Sequence, residues 1–330
     1  MNNFDVIIIG AGPIGLTCAI EAKKRNISSL IIEKGCLVNS LFHYPTNMTF
    51  FSTSERLEIG EVPFVSHGDK PTRRESLEYY RRTAETWALN INTYEEVSNI
   101  EKSGDIFNLT TSKSEYTARH IIVSTGFFDK PNLLNIPGEE KQKVKHYFDE
   151  AHPYAYLKLI VIGGANSAVD VALETYRRGS EVSMVIRENK LRDGVKYWVR
   201  PDIENRIKEG SIKAYFNSEL IEIRDHEVDI KTPDGTITLN NDFVFAMTGY
   251  HPDYEFLKKI GIEISRDERL VPKYNENTHE TNIDGLYVAG VVCGGKLTGK
   301  WFIENSMVHA ASIFNHIEKM NKKFTLLKGN

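Results

Sequence analysis

Asp5-Val6-Ile7-Ile8-Ile9-Gly10-Ala11-Gly12-Pro13-Ile14-Gly15 opens the chain, and most of the architecture follows from it. A β-branched run ends in a turn with glycine at three spaced positions. A helical stretch, Leu16 to Arg25, comes next, then a second strand, Ser29 to Ile32, that ends in Glu33. Strand, glycine turn, helix, strand is the order of a dinucleotide-binding unit. Gly10 permits the tight turn, Gly12 lets the backbone approach a pyrophosphate, and Gly15 lets the helix pack close to the strand. A pyrophosphate there meets unpaired amides at a helix N-terminus, worth about 0.3–1 kcal/mol and up to about 2 when partly buried. Glu33 lies 18 residues past Gly15, near the spacing of about 20 that places an acid on a ribose. Lys23-Lys24-Arg25 complements the negative end of the same helix.

The second half of the chain repeats the first. Lys158 to Ile162 reads as a strand, Gly163-Gly164-Ala165-Asn166-Ser167-Ala168 as a turn, Val169 to Arg178 as a helix, and Glu181 to Ile186 as a strand ending in Arg187. Around these lie a helical pattern from Glu75 to Ala88 and short alternating strands from Asn92 to Arg119. A strand, His120 to Val123, ends at Ser124-Thr125-Gly126, and Phe243 to Ala246 leads into Thr248-Gly249. A closing strand, Leu286 to Ala289, and a helix from about Trp301 to Lys319 return to complete the first domain. The fold class is therefore α/β, with two Rossmann-like dinucleotide-binding domains, one inserted into the other. Residues 1–122 and 247–330 are expected to form the first domain and 123–246 the second, with a boundary signal in Pro131 to Gly138.

The charges after each second strand select the nucleotides. A carboxylate at Glu33 accepts bonds from a free ribose 2′-hydroxyl and repels a 2′-phosphate, which suits FAD or NAD. Arg187, taken as the matching position of the second unit, does the reverse, because each charge-assisted bond to a 2′-phosphate contributes about 1.5–3 kcal/mol. Arg192 and Lys196 are further candidates for that phosphate, while Asn166 and Ser167 offer polar groups at the helix start. A chain holding FAD and NADPH passes hydride from nicotinamide to flavin and on to an acceptor, and needs few catalytic side chains.

Composition bounds the alternatives. The 330 residues carry 41 basic and 45 acidic side chains, a net charge of −4 that offers no general field for nucleic acid. Residues 1–5 carry no basic run, and Gly10 interrupts the first apolar stretch, so neither a signal peptide nor a membrane span is expected and the cytoplasm is the expected location. Cys18, Cys36 and Cys293 form no C-x-x-C pair for dithiol exchange or zinc, and no metal site is expected.

Ser124-Thr125-Gly126, Met247-Thr248-Gly249 and the run Thr281 to Gly290, with the two glycine loops, resemble the two-dinucleotide-binding-domain flavoproteins, the group of thioredoxin reductases and flavin-containing monooxygenases. Within that group the chain looks most like the YpdA-type bacillithiol disulfide reductases. The resemblance rests on Leu30 to Gly35, Tyr44-Pro45-Thr46, Thr49-Phe50-Phe51-Ser52, Gly163-Gly164, Asn166-Ser167-Ala168, Gly249 to Leu257 and Phe302-Ile303-Glu304-Asn305. It implies FAD in the domain made from both chain ends, NADPH in the middle, a homo-oligomer, and an oxidised low-molecular-weight thiol such as bacillithiol disulfide as acceptor. It further implies cofactor contacts from Pro13, Ile14, Lys34, Tyr44, Thr49, Phe50, Thr125, Gly126, Gly290, Val291, Phe302 and Ile303. The final helix would aim its positive end at the flavin pyrimidine.

Two departures bear on mechanism. The family commonly carries a cysteine where this chain has Ile14, so no cysteine intermediate forms at that position. Thioredoxin-reductase-like proteins usually follow the last strand with Gly-Asp, whereas Gly290 is followed here by Val291. Cys18 lies one helical turn from Ile14 on the same face but reads as a buried packing residue. Glu140 and Gln142 stand where a monooxygenase fingerprint ending at His146 requires Phe and Gly. A ferredoxin-NADP reductase-like enzyme, a monooxygenase and a redox-sensing flavoprotein with little turnover are the other readings.

Overall fold

A computed structural model describes residues 2–328, with side chains through residue 321. The chain divides into two compact units, one of Met1–Phe42, Met48–Lys130 and Tyr250–Asn330, the other of His43–Asn47 and Pro131–Gly249. The units part at Lys130 and Gly249 rather than after residues 122 and 246. The turn after each last strand stays with its own sheet: Ser124 N–H donates to Ile9 O at 2.8 Å, and Met247 N–H to Ile162 O at 3.0 Å.

Among the described residues the first unit holds a seven-stranded sheet. Its parallel part runs Ile91–Asn92, β2 (Ser29–Ile32), β1 (Asn2–Ile9), Glu115–Val123 and Leu286–Val288, so a strand from near the chain's end lies beside one about 165 residues earlier. Ile106–Thr111 and Val97–Ser103 extend it antiparallel. Val6 to Ile9 are buried because both faces of a central parallel strand are covered, which is why they read as a continuous apolar run. Helix α1 (Pro13–Lys24) has proline in its first turn, where a missing N–H costs nothing, and two lysines in its last. The helix Arg73–Thr86 starts at a capping box: Glu75 N–H donates to the Thr72 hydroxyl at 3.3 Å and Thr72 N–H to the Glu75 carboxylate at 2.8 Å.

The second unit has a five-stranded parallel sheet in the order Lys213–Tyr215, Glu181–Val185, Lys158–Ile162, Phe243–Ala246, Val144–Lys145. An antiparallel sheet, Glu219–Ile223, Glu227–Thr232 and Gly235–Asn240, accompanies it. Its last strand and the helix Arg200–Lys208 are elements the sequence pattern did not single out, although Pro233-Asp234-Gly235 marks the turn. Each unit buries its own apolar core, around Ile7, Ile121 and Val288 in the first and Val161, Ala172 and Met184 in the second.

The expected helix from Trp301 is two helices, Ile303–Ser306 and Val308–Lys328, and Trp301 precedes both. A four-residue helix carries too few aligned peptides for a substantial dipole, which weakens the expectation of a positive end aimed at a ligand.

Candidate functional site

The first glycine loop sits at the carboxyl ends of β1 and of the strand Glu115–Val123. Gly10 has φ +104°, and a Cβ there would stand 2.7 Å from Ser124 O, so turn and neighbouring strand together require glycine. The Ser124 hydroxyl donates to Ile9 O at 3.0 Å and to Gly10 O at 3.1 Å, locking the turn. A Cβ on Gly15 would fall 1.9 Å from Gly10 O, so α1 approaches the turn as closely as backbones can. Gly12 is different: a Cβ there meets nothing within 4 Å. Its neighbour Pro13 begins α1, whose N-terminus no side chain caps. The result is an open surface of helix-end amides, the geometry that receives a phosphate.

Glu33 lies behind this surface, 7% exposed. Its carboxylate accepts from Ala11 N–H at 2.7 Å and Gly35 N–H at 2.9 Å. Burial pushes its carboxyl above the usual range, against the pull of those two bonds. A carboxylate has about four lone-pair sites, so acceptor capacity remains for a ribose. Gly290 packs on Ile14, with its Cβ position 3.2 Å from that side chain, and the Cβ position of Gly126 is 3.8 Å from Val291. The structure thus assembles Gly10, Gly12, Ile14, Gly15, Gly126, Gly290 and Val291 at one edge of the sheet. Chemically they fit a dinucleotide carrying a free 2′-hydroxyl.

Other expected contacts have partners of their own. Lys34 pairs with Asp129 at 2.7 Å. Phe50 is buried, and its N–H donates to Pro71 O at 2.9 Å, while Thr49 forms an isolated β-bridge with Thr72. Tyr44 belongs to the short stretch His43–Asn47 that segregates with the second unit. Phe302, half exposed, donates its N–H to Asn305 Oδ1 at 2.7 Å just before Ile303.

The second loop reproduces the first. Gly163 has φ +121°, with its Cβ position 2.7 Å from Met247 O, as Gly10 has with Ser124. Ala165 occupies the place of Gly12 at the head of the helix Asn166–Tyr176, which again lacks a side-chain cap. The register corrects one expectation. Ile9 pairs with Ile32 as Ile162 pairs with Val185, so the residue matching Glu33 is Ile186, fully buried, and Arg187 matches Lys34. The physical content survives in altered form. No carboxylate stands at the ribose position, and an exposed guanidinium follows it.

Asn166 turns its side chain to the loop after Arg187: Lys196 N–H donates to Oδ1 at 2.8 Å and Nδ2 donates to Gly194 O at 2.9 Å. Lys196, 8% exposed, pairs with Asp170 at 2.7 Å. Ser167 is exposed in the first helical turn. Arg192 N–H donates to Gly164 O at 2.9 Å, so the loop folds back over the glycine turn and carries Arg192 to its mouth. This tether and the bond from Gly290 N–H to His309 Nδ1 at 3.1 Å leave no motif in the sequence.

The thiols are poorly placed for exchange. Cys18 and Cys293 are wholly buried, and burial pushes both well above the usual thiol range. Cys36 is half-buried and is raised by burial and by the Glu33 carboxylate.

Two open glycine loops, each on its own parallel sheet and followed by side chains of different charge, define an oxidoreductase that binds two dinucleotides. The sequence profile of the pyridine nucleotide-disulphide oxidoreductases matches residues 7–290. Bacilliredoxin reductase Bdr of Bacillus subtilis is 44% identical over 315 residues, 95% of this chain and 97% of that one. The structure is similar to bacillithiol disulfide reductase Bdr (YpdA) from Staphylococcus aureus, with TM-score 0.94 and 41% identity over 96% of this chain and 98% of that one. The Bacillus cereus Bdr structure gives TM-score 0.94 and 41% identity over 97% and 100%. The chain belongs to the pyridine nucleotide-disulphide oxidoreductase family, in its Bdr branch.

Proposed function

We propose that this chain is an NADPH-dependent FAD oxidoreductase that reduces the disulfide of a low-molecular-weight thiol of the bacillithiol type. FAD belongs to the unit built from both chain ends and NADPH to the middle unit. The observation that carries the reading is the contrast between the two ribose positions: a buried carboxylate, Glu33, in the first, and buried Ile186 followed by exposed Arg187 in the second. The names of the Bdr relatives supply the acceptor class. When bound, the two cofactors supply hydride delivery and a two-electron store.

This chain's own residues bind and position. The amides at the head of α1 face the pyrophosphate and Glu33 accepts from the ribose, while Arg187 and Arg192 attract the 2′-phosphate. With Ile14 at the loop and Cys18 and Cys293 sealed in the core, neither of those two thiols relays electrons. No described helix is long and apolar enough to cross a membrane. Assembly as a cytoplasmic homo-oligomer with no nucleic-acid partner is part of the same proposal.

The test is anaerobic mixing of the purified flavoprotein with NADPH and separately with NADH, then a screen of bacillithiol disulfide, ferredoxin and oxygen as acceptors. Fast bleaching by NADPH and fastest reoxidation by the disulfide are expected. Equal bleaching by NADH defeats the coenzyme assignment, and preference for ferredoxin or stoichiometric oxygen insertion defeats the acceptor assignment. Arg187→Glu should lower kcat/KM for NADPH by about ten- to hundredfold, the equivalent of one lost charge-assisted bond, and leave NADH little changed.

A further inference from the structure

The loop after the strand Glu181–Val185 is not simply basic. Lys190 pairs with Asp193 at 2.7 Å and Arg200 with Glu204 at 2.9 Å, so these two cations are already compensated by neighbours. Arg192 is held at the mouth of the second glycine loop by its own N–H, bonded to Gly164 O at 2.9 Å, and Arg200 donates to its carbonyl. Its guanidinium meets the Glu188 carboxylate at 3.2 Å. Glu188 directly follows Arg187, and its carbonyl accepts from Asn217 N–H at 3.1 Å, which ties its backbone to the chain following the sheet's edge strand. One carboxylate therefore pairs with Arg192 and directly follows Arg187, the two guanidiniums to which a 2′-phosphate would go. Partial burial disfavours its charge, but bonds from its own amide and from Arg192 outweigh that and hold the Glu188 carboxyl below the usual range. At neutral pH it is an anion where an incoming ligand brings another.

We propose that Glu188 is the residue that limits coenzyme discrimination: its carboxylate occupies Arg192 as a stand-in for the phosphate and repels the 2′-phosphate itself. The inference rests on the NADPH reading given above and deepens it. Replacing the carboxylate by its neutral isostere removes the negative charge, and with it the repulsion and the charge-assisted hold on Arg192, while keeping the side chain's shape.

The experiment is calorimetric titration of wild-type holoenzyme and Glu188→Gln with 2′,5′-ADP and with 5′-AMP, at low and at high salt, with thermal melts as a control on folding. The ratio of affinities for 2′,5′-ADP over 5′-AMP should rise about two- to fivefold in the variant, the size of an exposed ion-pair contribution. The gain should shrink as salt is raised, because the groups are solvent-exposed. The NADPH-to-NADH ratio of kcat/KM should rise in parallel. A wild type that prefers 2′,5′-ADP together with an unchanged or lowered ratio in Glu188→Gln overturns this inference alone. A wild type that binds both probes alike overturns the coenzyme reading and this inference with it.

Discussion

Gly12 and Gly15 stand three residues apart in one motif, yet the structure gives them opposite jobs, and alanine substitution separates them. At Gly15 an added Cβ would lie 1.9 Å from Gly10 O and 2.9 Å from the Ser124 hydroxyl. Contacts of carbon with oxygen begin near 3 Å, so α1 must recede by roughly 1 Å from a close-packed interior. It would then lift the buried side chains of Leu16, Ala19 and Ile20 off the sheet. Overpacking of this kind costs about 1–3 kcal/mol, which at about 2–4 °C per kcal/mol lowers the melting temperature by several degrees. Gly12 has φ −71° and ψ 176°, a conformation any residue adopts, and its Cβ would meet nothing within 4 Å. Ala165, at the same place in the second loop with φ −102° and ψ −175°, shows that the fold accepts a methyl there. Apoprotein Gly12→Ala should therefore melt within about 2 °C of wild type, with any entropic gain from the stiffer unfolded chain below about 1 kcal/mol. Its FAD affinity, read by fluorescence titration, should fall at least about tenfold, or 1.4 kcal/mol, because the methyl keeps the pyrophosphate from the amides. Unaltered FAD affinity in Gly12→Ala, or an unaltered melt in apo Gly15→Ala, refutes the assignment of the loop.

Two further outcomes follow from buried groups. Burial pulls His120 and His279 down to about 4 and His309 to about 3, so all three are neutral in the native state across the physiological range. In the unfolded chain they protonate near 6.5; their contribution to stability is thus complete above that pH and is lost as pH falls toward 4. Each should remove about 1 kcal/mol between pH 7 and 5.5, and urea unfolding of His309→Gln should show a shallower acid slope than wild type; an identical slope counts against the assignment. Thiol reagents on the native protein should modify Cys36 alone, and Cys18→Ala with Cys293→Ala should retain at least half of wild-type turnover, whereas abolished turnover in a folded double variant would restore a cysteine to the mechanism.

What the sequence determined by itself is local. The glycine turns, the β-branched strands and their repetition fix the α/β class and the two-loop plan, because a turn that needs positive φ at Gly10 and Gly163 and a strand buried on both faces leave marks within about ten residues. What only the tertiary structure decided depends on partners far away along the chain. Strand pairing placed Ile186, not Arg187, at the position equivalent to Glu33, because register is set across strands. Lys196 reads as a phosphate ligand until Asp170, on another element, is seen to hold it. Met307 separates two helices that sequence periodicity joined into one. Side-chain electrostatics and strand pairing act through space, and a linear pattern records only those neighbours that the chain itself brings close.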